Sequence, residues 1–156
     1  MTSILTMKKS LNCSGCNHHA RPCNFDTHIL LWALTENEKL PVIVKDLIAD
    51  PDIKVFYSSV SIWEVAIKYM KNPAKISNIS PEMLIDFCDN SLFLELPVTE
   101  EHVLMLQTLS HPEDAPLHND PFGRILIAQA KSERMTLLTH DSLLTGCNEP
   151  CIIVCA

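Results

Sequence analysis

The sequence predicts an α/β domain of three layers, with a central parallel sheet and helices on both faces. Two observations carry that prediction. From Arg21 onward, short β-branched or aliphatic runs alternate with longer amphipathic stretches, the pattern of strand–helix–strand crossovers. The chain has 156 residues, of which 47% are apolar, enough to bury one core and too many for a chain that stays unfolded.

Cys23–Phe25 reads as a short strand, ended by Asp26. Thr27–Leu34 follows as a helix. Pro41–Asp50 is a second, with its proline in the first turn, where a missing N–H costs nothing. Val55–Ser58 is β-branched and aromatic, hence a strand. Val60–Lys71 is helical, and the 3.6-residue period sets Val60, Glu64, Ile67, Lys68 and Lys71 on one side. Ser80 caps a helix that opens at Pro81. Leu92–Leu96 is a strand. Thr99, followed by two acids, starts a helix running to Leu109. After a loop comes Asp120 and a helix over Phe122–Glu133. Thr136–Thr139 and Ile152–Val154 complete five strands, whose crossovers are expected to be right-handed.

Composition narrows the function. The formal charge of −7 argues against a non-specific nucleic-acid coat. It does not exclude a nuclease, because a metal-holding carboxylate cluster is itself acidic. Only 3 glycines occur, at Gly15, Gly123 and Gly146, so there is no glycine-rich phosphate loop. No run is long and apolar enough to span a bilayer. The N-terminal lysines follow a very short apolar patch, the wrong order for a secretory signal, so the expected location is cytoplasmic. The 7 cysteines, an odd number among core residues, are expected to be reduced thiols. Cys151 and Cys155 read as core thiols of the last strand. Residues 1–20 read as a poorly ordered polar extension and residues 21–156 as the domain proper. The Cys13–His19 run could, with Cys23, offer zinc ligands, but its spacing is not that of a standard finger.

The acids fall in a pattern. In a parallel sheet the strand C-termini and the following helix N-termini share one edge, where ligands bind. Asp26 ends the first strand, and Glu64 lies early in the helix after the second. Asp120 precedes the helix starting at Phe122, and Asp141 follows the fourth strand. Each has an ordinary alternative. The three aspartates are good N-caps, each stabilising a helix by roughly 0.5–2 kcal/mol, and Glu64 can pair with Lys68 for about 0.3–0.5 kcal/mol. Together, though, crowded carboxylates repel and resist desolvation, a cost a divalent cation removes. Hard oxygen donors suit Mg²⁺ or Mn²⁺, and the chemistry that follows is metal-assisted phosphodiester hydrolysis. A haloacid-type phosphatase wants an acid two residues after the first, where His28 stands. A phosphoryl receiver wants paired acids before the first strand's end, and Arg21–Phe25 has none.

Other residues have two readings each. Arg124 either contacts phosphate or pairs with a carboxylate. Lys68 and Lys71 form a solvated helix face or an RNA-facing rim. His118 and His140 flank the acids and could serve as bases, although a metal-bound water needs none. Trp32 and Trp63 sit at apolar helix positions suited to core or dimer packing.

The stretches DTHILLWAL, SSVSIWEVAIK, HNDPFGRILIAQA and LLTHD, in this order and spacing, resemble the PIN-domain ribonucleases, and within them the VapC-type toxins of bacterial toxin–antitoxin pairs. The resemblance spans roughly Phe25 to Val154. It implies an α/β/α domain, a Mg²⁺- or Mn²⁺-dependent endoribonuclease acting on cellular RNA, a cognate antitoxin partner and a homodimer. By that resemblance Asp26, Glu64, Asp120 and Asp141 are the catalytic and metal-binding residues, and Thr139 supports them. There are two departures. The family's D-P-F-D-R has a glycine here at its second acid, Gly123, which suggests a catalytically attenuated PIN domain acting mainly as an antitoxin- or RNA-binding protein. The first strand is also shorter and more polar than the family's smooth apolar run.

Overall fold

The computed structural model describes residues 21–110, 120–142, 144 and 149–155. The polar extension with its cysteine–histidine run lies outside these residues, as do 111–119 and with them His118. Among the described residues the strands are β1 (Cys23–Phe25), β2 (Val55–Ser58), β3 (Leu94–Leu96), β4 (Thr136–Thr139) and β5 (Ile152–Val154). The helices are α1 (Thr27–Thr35), α2 (Val42–Ala49), α3 (Ser59–Lys71), α4 (Pro81–Asn90), α5 (Glu100–Met105) and α6 (Pro121–Ser132). All strand pairs are parallel, in the order β3-β2-β1-β4-β5. The expected three-layer α/β/α architecture is therefore the observed one.

Strand alternation divides the core in two. Cys23, Phe25, Val55, Tyr57 and Leu138 face one side, packing with Ile29 and Leu30 of α1, Val44 and Leu47 of α2, and Leu84 of α4. Leu137 faces the other, with Ile125, Leu126, Ile127 and Ala128 of α6. A two-residue period makes this separation unavoidable. Asn24, between Cys23 and Phe25, is fully buried, and neither side-chain polar atom has a hydrogen-bond partner among the described residues. An unpaired buried amide costs about 1–3 kcal/mol. Asn24→Leu is expected to raise Tm by several degrees, at ~2–4 °C per kcal/mol for a domain of this size. Thermal melts check this, and a lowered Tm would mean that the amide has a partner.

The sheet's site edge is fastened by polar groups. Ser58 donates its hydroxyl hydrogen to Gln129 Oε1 at 2.6 Å, and Gln129 Nε2 donates to the Leu96 and Pro97 carbonyls, both at 3.3 Å. These bonds tie the ends of β2 and β3 to α6. His102, buried, accepts the Thr99 N–H at Nδ1 (3.1 Å) and bonds Glu133 through Nε2 (2.8 Å), fixing α5 against α6.

Several boundaries depart from the sequence expectation. The third strand starts at Leu94, not Leu92, because Leu92 takes a left-handed conformation (φ 59°) and Phe93 N–H closes α4 by donating to the Cys88 carbonyl at 2.9 Å. The chain is still leaving the helix there and cannot join a ladder. The helix after Thr99 ends at Met105 and tightens into a 3₁₀ turn over Leu106–Thr108. Pro41 caps α2 from outside rather than sitting in its first turn. The 3₁₀ turns at Asn37–Lys39 and Pro73–Ile76 carry no apolar period and were not anticipated.

Candidate active site

β1 is central, and the chain lays β2 and β3 on one side of it and β4 and β5 on the other. Strand order thus reverses between β1 and β4, the position where open α/β sheets bind ligands at their C-terminal edge. Asp26 sits at this point. Its N–H donates to the Leu138 carbonyl of β4 at 3.0 Å, and its Oδ1 caps α1 by accepting the Ile29 N–H at 2.9 Å. Its other oxygen accepts the Thr139 hydroxyl hydrogen, and that same Thr139 oxygen accepts the Asp141 N–H at 2.9 Å. Thr139 therefore joins the acid after β1 to the acid after β4.

Glu64 arrives from α3, 7% exposed. Thr27 donates its hydroxyl hydrogen to Glu64 Oε2 at 2.6 Å and lies 3.1 Å from the Ser61 hydroxyl. Glu64 Oε1 is ion-paired with Lys68, one turn along α3. Asp120 caps α6, its two oxygens accepting the Phe122 N–H (3.1 Å) and the Gly123 N–H (3.2 Å). Capping by Asp26 and Asp120 and pairing by Glu64, the ordinary alternatives for these three acids, are realised. Even so, Asp26, Glu64, Asp120 and Asp141 all line one cavity of about 40 Å³, together with Thr27, His28, Gly123, Leu126 and Leu144. The topology has brought to one place acids drawn from four separate stretches of the chain.

These are the residues that carried the sequence resemblance, and a family comparison decides its meaning. The PIN-domain profile matches residues 25–145. The chain belongs to the PIN-domain family. Solved structures share its fold. A chain in the crystal structure of VapBC2 from Rickettsia felis bound to a DNA fragment from their promoter superposes with a TM-score of 0.60 at 16% identity, covering 85% of this chain and 96% of that one. A toxin–antitoxin complex from Klebsiella pneumoniae gives 0.56 at 18% identity, with 85% and 96% coverage. FitAcB from Neisseria gonorrhoeae gives 0.55 at 18%, with 86% and 96%. At such identities the likeness is one of fold. No curated protein matches the chain in sequence.

In this PIN domain the electrostatics centre on Asp26. Burial pushes its carboxyl above the usual carboxylate range, opposed by hydrogen bonds from the Thr139 hydroxyl and the Ile29 N–H, the nearby His28, and the His140 N–H. A buried carboxylate beside other acids gains from a cation. The donor set is all hard oxygen, which fits Mg²⁺ or Mn²⁺ in kind. The side chains do not close into a coordination shell: among the described residues, no three acidic, histidine or cysteine side chains converge on one point as metal ligands. The donors therefore suit such an ion in chemical kind, while the side chains as placed do not form its ligand shell. Gly123, at the place where the family pattern has its second acid, lines the same cavity.

Other candidates fall elsewhere. His140 turns from the acids, its Nδ1 bonding the Cys155 carbonyl at 3.0 Å and its ring meeting Trp32 edge-on at 4.8 Å. Trp32 packs on the core, as expected. Trp63 does not: it is 56% exposed and meets Phe122 edge-on at 4.9 Å, joining α3 to the start of α6. Arg124 is exposed and makes no ion pair among the described residues. Cys23, Cys88, Cys151 and Cys155 are free thiols, and burial pushes Cys23 and Cys155 up to about 12, which leaves them unreactive. Among the described residues no helix is long and apolar enough to cross a membrane. Sequence reasoning missed Thr27 and Ser61. The signal for Thr27 was its place directly after Asp26, where an N1 hydroxyl can reach a neighbouring helix.

Proposed function

We propose that this PIN domain is a toxin-type endoribonuclease that hydrolyses RNA phosphodiester bonds with an activated water, depends on Mg²⁺ or Mn²⁺, and is neutralised by a cognate antitoxin. The observation that supports this best is the shared cavity of Asp26, Glu64, Asp120 and Asp141 at the strand switch point. Those four residues would hold the ion. When bound, it supplies a more acidic water and offsets charge on the phosphate oxygens.

The chain's own groups set the geometry. Thr139 and the Ile29 N–H fix both oxygens of Asp26, and Thr27 orients Glu64. Such outer hydrogen bonds are commonly worth about 10–100-fold in metal affinity or activity. Lys68 places a cation beside Glu64. Arg124, free of carboxylate partners among the described residues at the start of α6, is available to a phosphate.

A second reading is favoured by Gly123: an attenuated domain whose main work is binding antitoxin or RNA. Incubating the purified chain with labelled RNA separates the two. The expected result is internal cleavage with Mg²⁺ or Mn²⁺ and none with EDTA. Intact RNA under every metal condition would overturn the nuclease and leave the binding reading.

A further inference from the structure

A second cavity, about 460 Å³, opens between α1 and the C-terminal half of α3 with its following turn. Its size falls within the range of small-molecule sites, about 300–1,000 Å³, so a nucleoside fits. Leu31, Trp32 and Ile76 form its apolar wall, and Lys68, Lys71 and Lys75 line its rim. In a chain of net charge −7, Lys71 and Lys75 give this cavity a local charge of the opposite sign, Lys68 being paired with Glu64. Lys71 and Lys75 are exposed and make no ion pair among the described residues. The single acid in the lining, Glu36, is already paired with Lys39.

The cavity also borders the acidic site. His28 lines both, and Lys68 lines this one while pairing with Glu64 of the other. A polyanion whose phosphate lies at the acids would therefore meet the lysines next. We infer that this groove holds the single-stranded RNA flanking the cleaved bond, with phosphates on Lys71 and Lys75 and a base against the apolar wall. The inference rests on the nuclease reading for its substrate class and extends it to a binding subsite. Such a subsite would set which flanking nucleotides are accepted, because stacking against an apolar wall tolerates many bases but rewards large ones.

The test uses the full chain and a fluorescent single-stranded RNA of mixed sequence, in EDTA so that cleavage plays no part. The double variant Lys71→Glu/Lys75→Glu is expected to weaken binding at least tenfold. Lys71→Gln/Lys75→Gln should lower the salt dependence of log K by about 1.4, at about 0.7 per phosphate contact on a single strand. Lys71→Arg/Lys75→Arg should restore both. Because the two side chains are exposed, Tm is expected to be unchanged. RNA affinity and salt slope equal to the parent's would overturn the groove. Cleavage without any lysine effect defeats the groove alone. Lysine-dependent binding without cleavage in metal defeats the nuclease reading alone.

Discussion

Asp26→Asn is expected to leave the fold intact and to lower metal-dependent RNA cleavage by more than about 100-fold, beyond what loss of an outer hydrogen-bonding partner does. Asparagine caps helices as well as aspartate does, so α1 keeps its first turn, while the charge that would face the ion is gone. The same variant has a readout without substrate. Burial raises the Asp26 carboxyl above its usual range, so the folded state holds this proton more tightly than the unfolded chain, where the value is about 3.9. In metal-free solution the ionised group therefore costs stability, and the cost grows as pH rises from about 4 through the raised value. Asp26→Asn removes that cost. Its Tm in EDTA should match the wild type below pH 4 and exceed it increasingly above. Added Mg²⁺ or Mn²⁺ should raise the wild-type Tm by binding the folded state and should move the variant little. Equal Tm–pH curves for the two proteins would mean that Asp26 is not a desolvated acid, and unchanged cleavage would remove it from the site.

Gly123→Asp should raise cleavage at a fixed, sub-saturating metal concentration by at least about tenfold, on the same scale of ligand effects. The position is in the first turn of α6, where a negative side chain is favourable to the helix. Aspartate in place of glycine also recovers about 0.3 kcal/mol of helix propensity. A carboxylate there would join a cavity that already has Asp26, Glu64, Asp120 and Asp141 on its walls. The metal concentration giving half-maximal activity should fall in parallel. If rate and metal requirement both stay where they were, Asp120 already does what the missing acid would do. If the variant loses stability in EDTA and recovers it with metal, the added charge has reached the cavity.

The site was legible in the sequence to an uneven degree. Asp26 and Asp141 could be placed on the same edge because each follows a strand, and parallel strands end together. Thr139 came only from the family resemblance of the T-H-D run, and its double bond, to the Asp26 carboxylate and from the Asp141 N–H, depends on β1 and β4 being adjacent. Nothing in the linear order of strands says that the first pairs with the fourth. Glu64 was assigned both a site role and a pairing role, and the two turn out to be compatible, with Lys68 on one oxygen and Thr27 on the other. The left-handed residue at Leu92, which shortened β3, carried no glycine to announce it.

The linear chain by itself determined the period of each element, and with it the alternating layers, the caps and the acids that follow strands, because these depend only on neighbours within a few residues. The tertiary structure alone decided which strands are neighbours, that Lys71 at the end of α3 and Lys75 in the turn after it line one cavity with Trp32, and that Asn24 is shut in without a partner among the described residues. Those outcomes depend on groups far apart in the chain competing for the same space, and local preference does not encode that competition.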